Sequence, residues 1–310
     1  LTQIGSAHLP LGAMVSTLNG LTWFWFVGLY WWATRGLNPR PLPVQLWDWA
    51  ILLMLLAGLG AVGLVGMVMT RSDNAFLQQL FLNQFLDLFA VGWFNLALLG
   101  VLWAQVEKHA ALPRWLPTMS LALLLAPTFV LGIAPGLLPP HLFWLAAAAN
   151  VGAACLLAVD LALYVRSGAG AFAPSYLRWL ALGALAVVLL IALLLLIPGV
   201  WTTSAGGPLR IFYLHDLLLG WVSTSLILVI ATRAAGRAVW PALWRWVAPL
   251  WAIGVGVMLA ALLLVGLSSF FPWPLAMLHL AAWASVPVAL AAILLLIAQA
   301  AAWLNRQPAA

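Results

Sequence analysis

The hydrophobic pattern of the chain is a series of long apolar runs separated by short connections, several of which contain proline. An α-helix needs about 20 apolar residues to cross a bilayer. Nine runs are long enough, at residues 10–34, 45–70, 79–105, 113–133, 141–165, 176–199, 210–232, 241–267 and 273–304. No connection is long or polar enough to form a soluble domain. The pattern therefore predicts an all-α, polytopic membrane helix bundle, with a single transmembrane domain over residues 1–310.

Composition agrees with a chain that is solvated by lipid. Apolar residues make up 66% of the sequence and charged residues only 6%, whereas a soluble protein carries about 25% charged residues. The 20 tryptophans are typical of chains that meet the headgroup region. The net charge of +6 does not indicate nucleic-acid binding, because the cations lie in short connections between apolar runs. The first residues lack a charged leader, so no signal peptide is predicted.

The distribution of the cations predicts the orientation of the chain. Ten of them fall on one side of the nine-span topology and two, Arg71 and Arg210, on the other. The side with more lysine and arginine is normally cytoplasmic. We therefore expect a multi-pass protein of the bacterial cytoplasmic (inner) membrane, with the start of span 1 outside and the C-terminus in the cytoplasm.

In this orientation, polar side chains gather at the outer ends of the odd-numbered spans. Chargeable groups inside a membrane are costly and often functional. The alternative to a functional role, for each residue taken alone, is that a polar side chain at a helix end simply reaches the membrane interface. The residues that form the candidate cluster are His8, Asn83, Asp87, His141, Arg210, His215, Asp216 and His279.

The odd-numbered spans also carry an internal echo. His215 is followed at seven, eight and nine residues by Val-Ser-Thr, and the same three residues follow His8 at the same distances. Gly92-Trp93 in span 3 aligns with Gly220-Trp221 in span 7, which places Asp87 where His215 stands. These similarities predict a repeated helical module, with the odd spans in an inner layer and the even spans facing lipid.

Two adjacent residues of span 7 are expected to have different roles. Consecutive residues on a helix point about 100° apart, so His215 and Asp216 cannot face one site equally. We expect His215 to point inward, and Asp216 to lie near the start of the helix and near Arg210. Asp87 has no cation in its own span, so we expect its removal to change function.

The stretch LHDLLLGWVSTSLI, at residues 214–227, resembles helices of the haem-copper oxidase catalytic-subunit superfamily, and LVIATRAAGRA after it looks like the related NnrS-type membrane proteins. The resemblance implies haem b or copper near the outer face. His8, His279 and His215 would then bind the cofactor, and His141 and Asp87 would bind a metal. Asp216, Arg210 and Asn83 would be the hydrogen-bond partners that surround these ligands.

The chain departs from that superfamily in its histidines. The superfamily has a paired His-x-His on its late helix, where this chain has only His279. No tyrosine follows His141 by four residues, and Phe143 and Trp144 follow it instead. A complete oxygen-reducing centre is therefore not expected. The first functional prediction is a membrane subunit of a respiratory or electron-transfer assembly, with other membrane subunits, lipid and a cytochrome or quinone as partners. A transporter or metal-uptake protein and a cofactor-free anchoring subunit remain alternatives.

Overall fold

The computed structural model describes residues 9–106, 118–167, 176–197, 199–200, 207–234, 240–269 and 276–304. These residues form nine helices and no strand, which confirms the all-α bundle. The helices are α1 (Leu9–Thr34), α2 (Leu42–Thr70), α3 (Ala75–Asp87, Leu88–Phe94 and Asn95–Trp103), α4 (Thr118–Leu125 and Ala126–Gly132), α5 (Pro140–Arg166), α6 (Tyr176–Leu194), α7 (Pro208–His215, Asp216–Ser223 and Thr224–Ala234), α8 (Trp240–Gly266) and α9 (Ala276–Leu304).

Seven helices of the described chain are long and apolar enough to cross a membrane, namely α2, α3 and α5–α9. Helix α4, over Thr118–Gly132, is apolar but shorter, and α1 has 26 residues. The protein is therefore a multi-pass membrane protein. Residues 107–117, which include the predicted start of span 4, lie outside the described chain.

Local chemistry explains where several helices begin or change geometry. The side chain of Asn74 accepts a hydrogen bond from the backbone N–H of Leu77 at 3.0 Å, which satisfies one of the free N–H groups at the start of α3. Pro127 lies at the start of the 3₁₀ segment of α4. Proline has no N–H to give to an α-helical hydrogen bond, so α4 changes its geometry there.

Helices α3 and α7 each contain a π-helical segment, at Leu88–Phe94 and Asp216–Ser223. Such segments are rare and are frequent at functional sites. They begin at equivalent positions when Gly92-Trp93 is aligned with Gly220-Trp221. The indole N–H of Trp221 donates to the Asn95 side-chain oxygen at 2.8 Å, so a hydrogen bond joins the two helices. The sequence echo thus coincides with a repeated backbone irregularity.

The glycine of each π segment packs against the preceding helix. A Cβ at Gly92 would lie 2.9 Å from the Leu53 side chain of α2, and one at Gly220 would lie 2.6 Å from the Ala184 Cβ of α6. Small residues at such positions allow membrane helices to approach closely. The pairs α2–α3 and α6–α7 therefore pack in a similar way, as expected of a repeated module.

The predicted separation of odd inner helices from even outer helices is only partly correct. Of the seven long apolar helices in the described chain, α3 and α7 have the largest buried share, whereas α9 has the smallest and α8 is half buried. Helix α9 packs mainly on α8, so a large part of its surface is left to face lipid. Odd or even number therefore does not by itself decide which helices are central.

Candidate functional site

The central helices α3 and α7 bring together two charged residues that are far apart in the sequence. The Arg210 guanidinium donates from Nη2 to both carboxylate oxygens of Asp87, at 2.7 and 2.6 Å. Asp87 is 3% exposed. A buried carboxylate is costly unless a cation and hydrogen bonds compensate it. Arg210 supplies this compensation, so each residue fixes the position of the other.

The last turn of α4 closes one side of this ion pair. A Cβ at Gly132 would collide with the Asn83 amide and the Arg210 guanidinium, so only glycine allows the backbone to come this close. The Asn83 amide donates to the carbonyl of Gln79 at 2.7 Å. Gln79 in turn accepts a hydrogen bond from the backbone N–H of Ala134 at 2.7 Å. The polar face of α3 therefore holds the end of α4 against the ion pair.

The ion pair forms part of the wall of a cavity of about 340 Å³. Helices α3 to α8 and the connection between α6 and α7 contribute to its lining, which is predominantly aliphatic. An apolar pocket with a few convergent polar groups is the usual form of a small-molecule site. The lining residues are Asp87, Val91, Thr128, Leu131, Asn150, Val187, Leu190, Ile191, Leu194, Leu195, Val200, Leu209, Arg210, Phe212, Tyr213, Leu263 and Leu267.

The cavity opens through the side of the bundle, between α6 and α8. Leu190 and Leu194 of α6 and Leu263 of α8 line the cavity and are also exposed on the outer surface, by 53%, 37% and 36%. These positions lie within spans that are apolar enough to be in the membrane. The opening therefore lies among apolar side chains near the ends of two helices that are apolar enough to span a membrane.

The polar groups of the lining can donate hydrogen bonds to a molecule in the cavity. Arg210 lines the cavity with its guanidinium paired to Asp87, and its Nε is buried away from the cavity space. Asn150, which is 7% exposed, contributes an amide, and Tyr213 contributes a phenol. Because Asp87 balances the charge of Arg210, these donors surround a site that is close to neutral.

The structure places Asp216 differently from the sequence-based expectation, because Arg210 pairs with Asp87. Asp216 is 3% exposed, and its Oδ2 has no hydrogen-bond partner in the described chain. Its Oδ1 would be 3.1 Å from a Cβ at Gly220, which also faces Ala184 of α6 and Leu259 of α8. The expectation that Asp216 lies at the helix start beside Arg210 was wrong, because Asp216 points into the packing between three helices.

The three histidines in the described chain lie at or near the surface. His141 and His279 are exposed and His215 is half-buried, and His215 Nδ1 lies 2.7 Å from the Ile211 carbonyl of its own helix. His8 lies outside the described residues. No group of three or more histidine, cysteine or carboxylate residues in the described part of the chain could hold a metal. The haem and metal roles given to His8, His279, His215, His141 and Asp87 stay predictions that rest on the resemblance.

Comparisons with protein-family models, with curated proteins and with solved structures find no match to this chain. The resemblance to the haem-copper oxidase superfamily and to NnrS-type proteins is therefore untested.

Sequence reasoning found Asp87, Arg210 and Asn83, but it missed Asn150, Tyr213 and Thr128 of the cavity wall. Asn150 is a single amide in the run AAAANVGAAC of α5, which is a signal that could have been used. Tyr213 stands two residues before His215, and a single tyrosine in an apolar run is not by itself a signal for a binding site. Thr128 carries no such signal, because its hydroxyl donates to the Leu125 carbonyl at 2.8 Å, which is an ordinary bond within a helix.

Proposed function

We propose that the chain is a membrane subunit of an electron-transfer assembly and that the cavity beside Asp87 and Arg210 binds a quinone. The observation that carries the proposal is a laterally open, largely aliphatic cavity whose polar corner is a neutral ion pair. A quinone has a neutral ring with two carbonyl acceptors and a long hydrocarbon tail. Both parts match the chemistry of the cavity wall.

The charge balance of the site favours a neutral ligand over an anionic one. Arg210 alone would attract a phosphate or a carboxylate. Here the Asp87 carboxylate lies within 2.7 Å of the same guanidinium, and it would repel a second anion. A carbonyl oxygen can accept hydrogen bonds from Arg210, Asn150 or Tyr213 without that repulsion.

The lateral opening supports a ligand that is dissolved in the bilayer. A quinone tail would lie along Leu190 and Leu194, where the cavity wall becomes part of the lipid-facing surface. The transporter alternative is less well supported, because the core between α3 and α7 beyond the cavity is closed by fully buried side chains such as Leu96, Leu99 and Trp221. The anchoring alternative predicts no ligand at all.

A binding experiment with a cavity-filling variant tests the proposal. The purified protein in quinone-free nanodiscs is titrated with short-chain ubiquinone and menaquinone analogues by calorimetry. Val187→Phe adds a ring to the cavity wall and should weaken binding by at least tenfold. The matched control is Val286→Phe, whose side chain is 46% exposed on α9 and should leave binding unchanged.

The outcomes separate the proposed function from its alternatives. Saturable binding that only Val187→Phe weakens supports the quinone site. Equal binding by both variants places the ligand elsewhere, and no binding by the unaltered protein favours the anchoring or transport alternatives.

The haem prediction has its own measurement, an optical spectrum of the purified protein. Two axial histidines, which the resemblance assigns to His8 and His279, would give a Soret band and sharp bands on reduction. A colourless protein would rule out haem b and leave the quinone proposal untouched.

A further inference from the structure

Helix α1 is attached to the bundle at two points on one of its faces. Trp23 stacks on Phe85 and Phe89 of α3, with ring centroids 6.5 and 5.0 Å apart. Seven residues later, the Tyr30 hydroxyl donates to the Val44 carbonyl at 3.0 Å and to the Asp48 carboxylate at 2.9 Å. Residues seven apart share a helix face, so both attachments hold the same side of α1 towards the bundle.

A cavity of about 380 Å³ lies between α1 and helices α2, α3 and α7. Its wall is apolar and rich in aromatic rings. The indole N–H of Trp47 donates to the Ala97 carbonyl at 3.0 Å, and the Tyr30 hydroxyl donates to Val44 and Asp48 of α2. These polar groups are therefore already hydrogen-bonded within the protein. The occupant that suits such a wall is hydrocarbon. The lining residues are Phe26, Tyr30, Trp47, Ala50, Ile51, Trp93, Phe94, Ala97, Leu98, Val101, Val222 and Leu226.

The cavity communicates with the bilayer beside α1. Phe26 lines the cavity and is 47% exposed, so its ring forms part of the mouth. The neighbouring positions Phe24 and Trp25 are 68% and 69% exposed, so the other described helices leave this part of α1 uncovered. A lipid chain can therefore reach the cavity from the side.

One end of the cavity carries an excess of positive charge. Tyr30 contacts Asp48, which forms an ion pair with Arg40. Arg35 lies five residues beyond Tyr30, is exposed, and has its guanidinium 5.7 Å from the Trp31 ring. Two arginines and one carboxylate give this corner a net positive charge. Arginine at a membrane surface attracts the phosphate of anionic lipids.

We propose that this crevice is a binding site for an anionic phospholipid. One acyl chain fills the cavity between α1 and the bundle, and the phosphate lies at Arg35, because Asp48 already balances the charge of Arg40. The lipid completes the packing that α1 lacks between its two attachment points. This site is separate from the proposed quinone site, and neither proposal depends on the other.

Native mass spectrometry of the purified protein tests the site with phosphatidylglycerol and phosphatidylcholine of identical chains. We expect one retained phosphatidylglycerol per chain in preference to phosphatidylcholine. Ala97→Phe fills the cavity and should reduce retention by at least tenfold, whereas Ala148→Phe, at an exposed position of α5, should not. Arg35→Gln should remove the preference for the anionic lipid, whereas Arg71→Gln should preserve it.

Photo-crosslinking of the unaltered protein keeps the proposal testable if Ala97→Phe does not fold. Phosphatidylglycerol with a photoreactive acyl chain should label peptides of α1, α2 and α3 around the cavity. Equal retention of the two lipids, retention by Ala97→Phe, or labelling spread evenly over all helices would each overturn the proposal.

Discussion

At the scale of single residues, the central feature is an ion pair that no local pattern could predict. Asp87 and Arg210 are 123 positions apart, and their meeting depends on which helices are neighbours. The sequence did show that Asp87 has no cation in its own span. Asp216 was matched with Arg210 because they are six residues apart, but six residues turn a helix by about 240° beyond one full turn. Their side chains therefore leave α7 in different directions.

Removing one member of the ion pair should destabilise the protein strongly. Arg210→Gln leaves the Asp87 carboxylate buried without a cation, which typically costs about 3–5 kcal/mol of unfolding free energy. The double variant Asp87→Asn with Arg210→Gln removes both charges and should recover most of this loss. Denaturant unfolding in detergent micelles measures the double-mutant cycle. If the double variant is as unstable as the sum of the single variants, the two residues do not compensate each other.

The hydrogen bond from the π segment of α7 to Asn95 of α3 gives a second prediction for single residues. Trp221→Phe keeps one aromatic ring but removes the pyrrole ring and with it the N–H that donates to Asn95 at 2.8 Å. Asn95 is 2% exposed, so its amide oxygen loses a partner that water cannot easily replace. A buried unsatisfied polar group costs about 1–3 kcal/mol. The same unfolding assay should show this loss for Trp221→Phe but not for Trp283→Phe, whose side chain is 75% exposed.

At the scale of elements, all nine helices were predicted from hydrophobic run length, and their bounds agree to within about five residues. The internal geometry of α3 and α7 was not predicted. A π segment adds a residue to a turn without changing the hydrophobicity of the run, so Leu88–Phe94 reads as ordinary apolar helix. The repeated Gly-Trp pair lies within both π segments, but these two residue types do not by themselves specify a π-helical turn.

The close approach of α6 and α7 should depend on glycine. Gly220→Ala would place a Cβ 2.6 Å from the Ala184 Cβ, which forces the helices apart, and overpacking of this kind costs about 1–3 kcal/mol. Gly183→Ala is the matched control, because a Cβ there meets nothing within 4 Å. Since alanine favours helix over glycine by about 1 kcal/mol, the control should be neutral or slightly stabilising. Equal effects of the two variants on melting temperature would contradict the packing described for Gly220.

At the scale of the whole molecule, the number of helices was easier to predict than their arrangement. Each apolar run specifies a helix by itself, but neighbours are chosen by the shape of the packed surfaces. The histidines illustrate the difference, because a shared position near helix starts suggested a cluster, yet His141 and His279 are exposed. The cavity beside Asp87 and Arg210 is likewise formed by six helices together, and its charged members were the ones identified from the sequence.

The orientation of the bundle stays a prediction from the cation distribution. We expect the C-terminus in the cytoplasm and the connection between α6 and α7 outside. A fluorescent-protein fusion after Ala310 should be bright, and an alkaline phosphatase fusion at the same place should be inactive. A phosphatase fusion in the connection after Leu194 should be active. The opposite pattern would reverse the topology and would place Arg35 and Arg40 at the outer surface.

The lateral opening lined by Leu190, Leu194 and Leu263 determines which ligand concentration governs occupancy of the cavity. For a ligand that enters from the bilayer, occupancy of the cavity depends on the mole fraction of the ligand in the lipid. The concentration of the ligand in water matters only because it sets that mole fraction by partitioning. Diluting the membrane with extra lipid should therefore empty the cavity even when the total amounts of ligand and protein are unchanged. Two ligands that make identical contacts could then differ widely in apparent potency, simply because one dissolves better in the membrane.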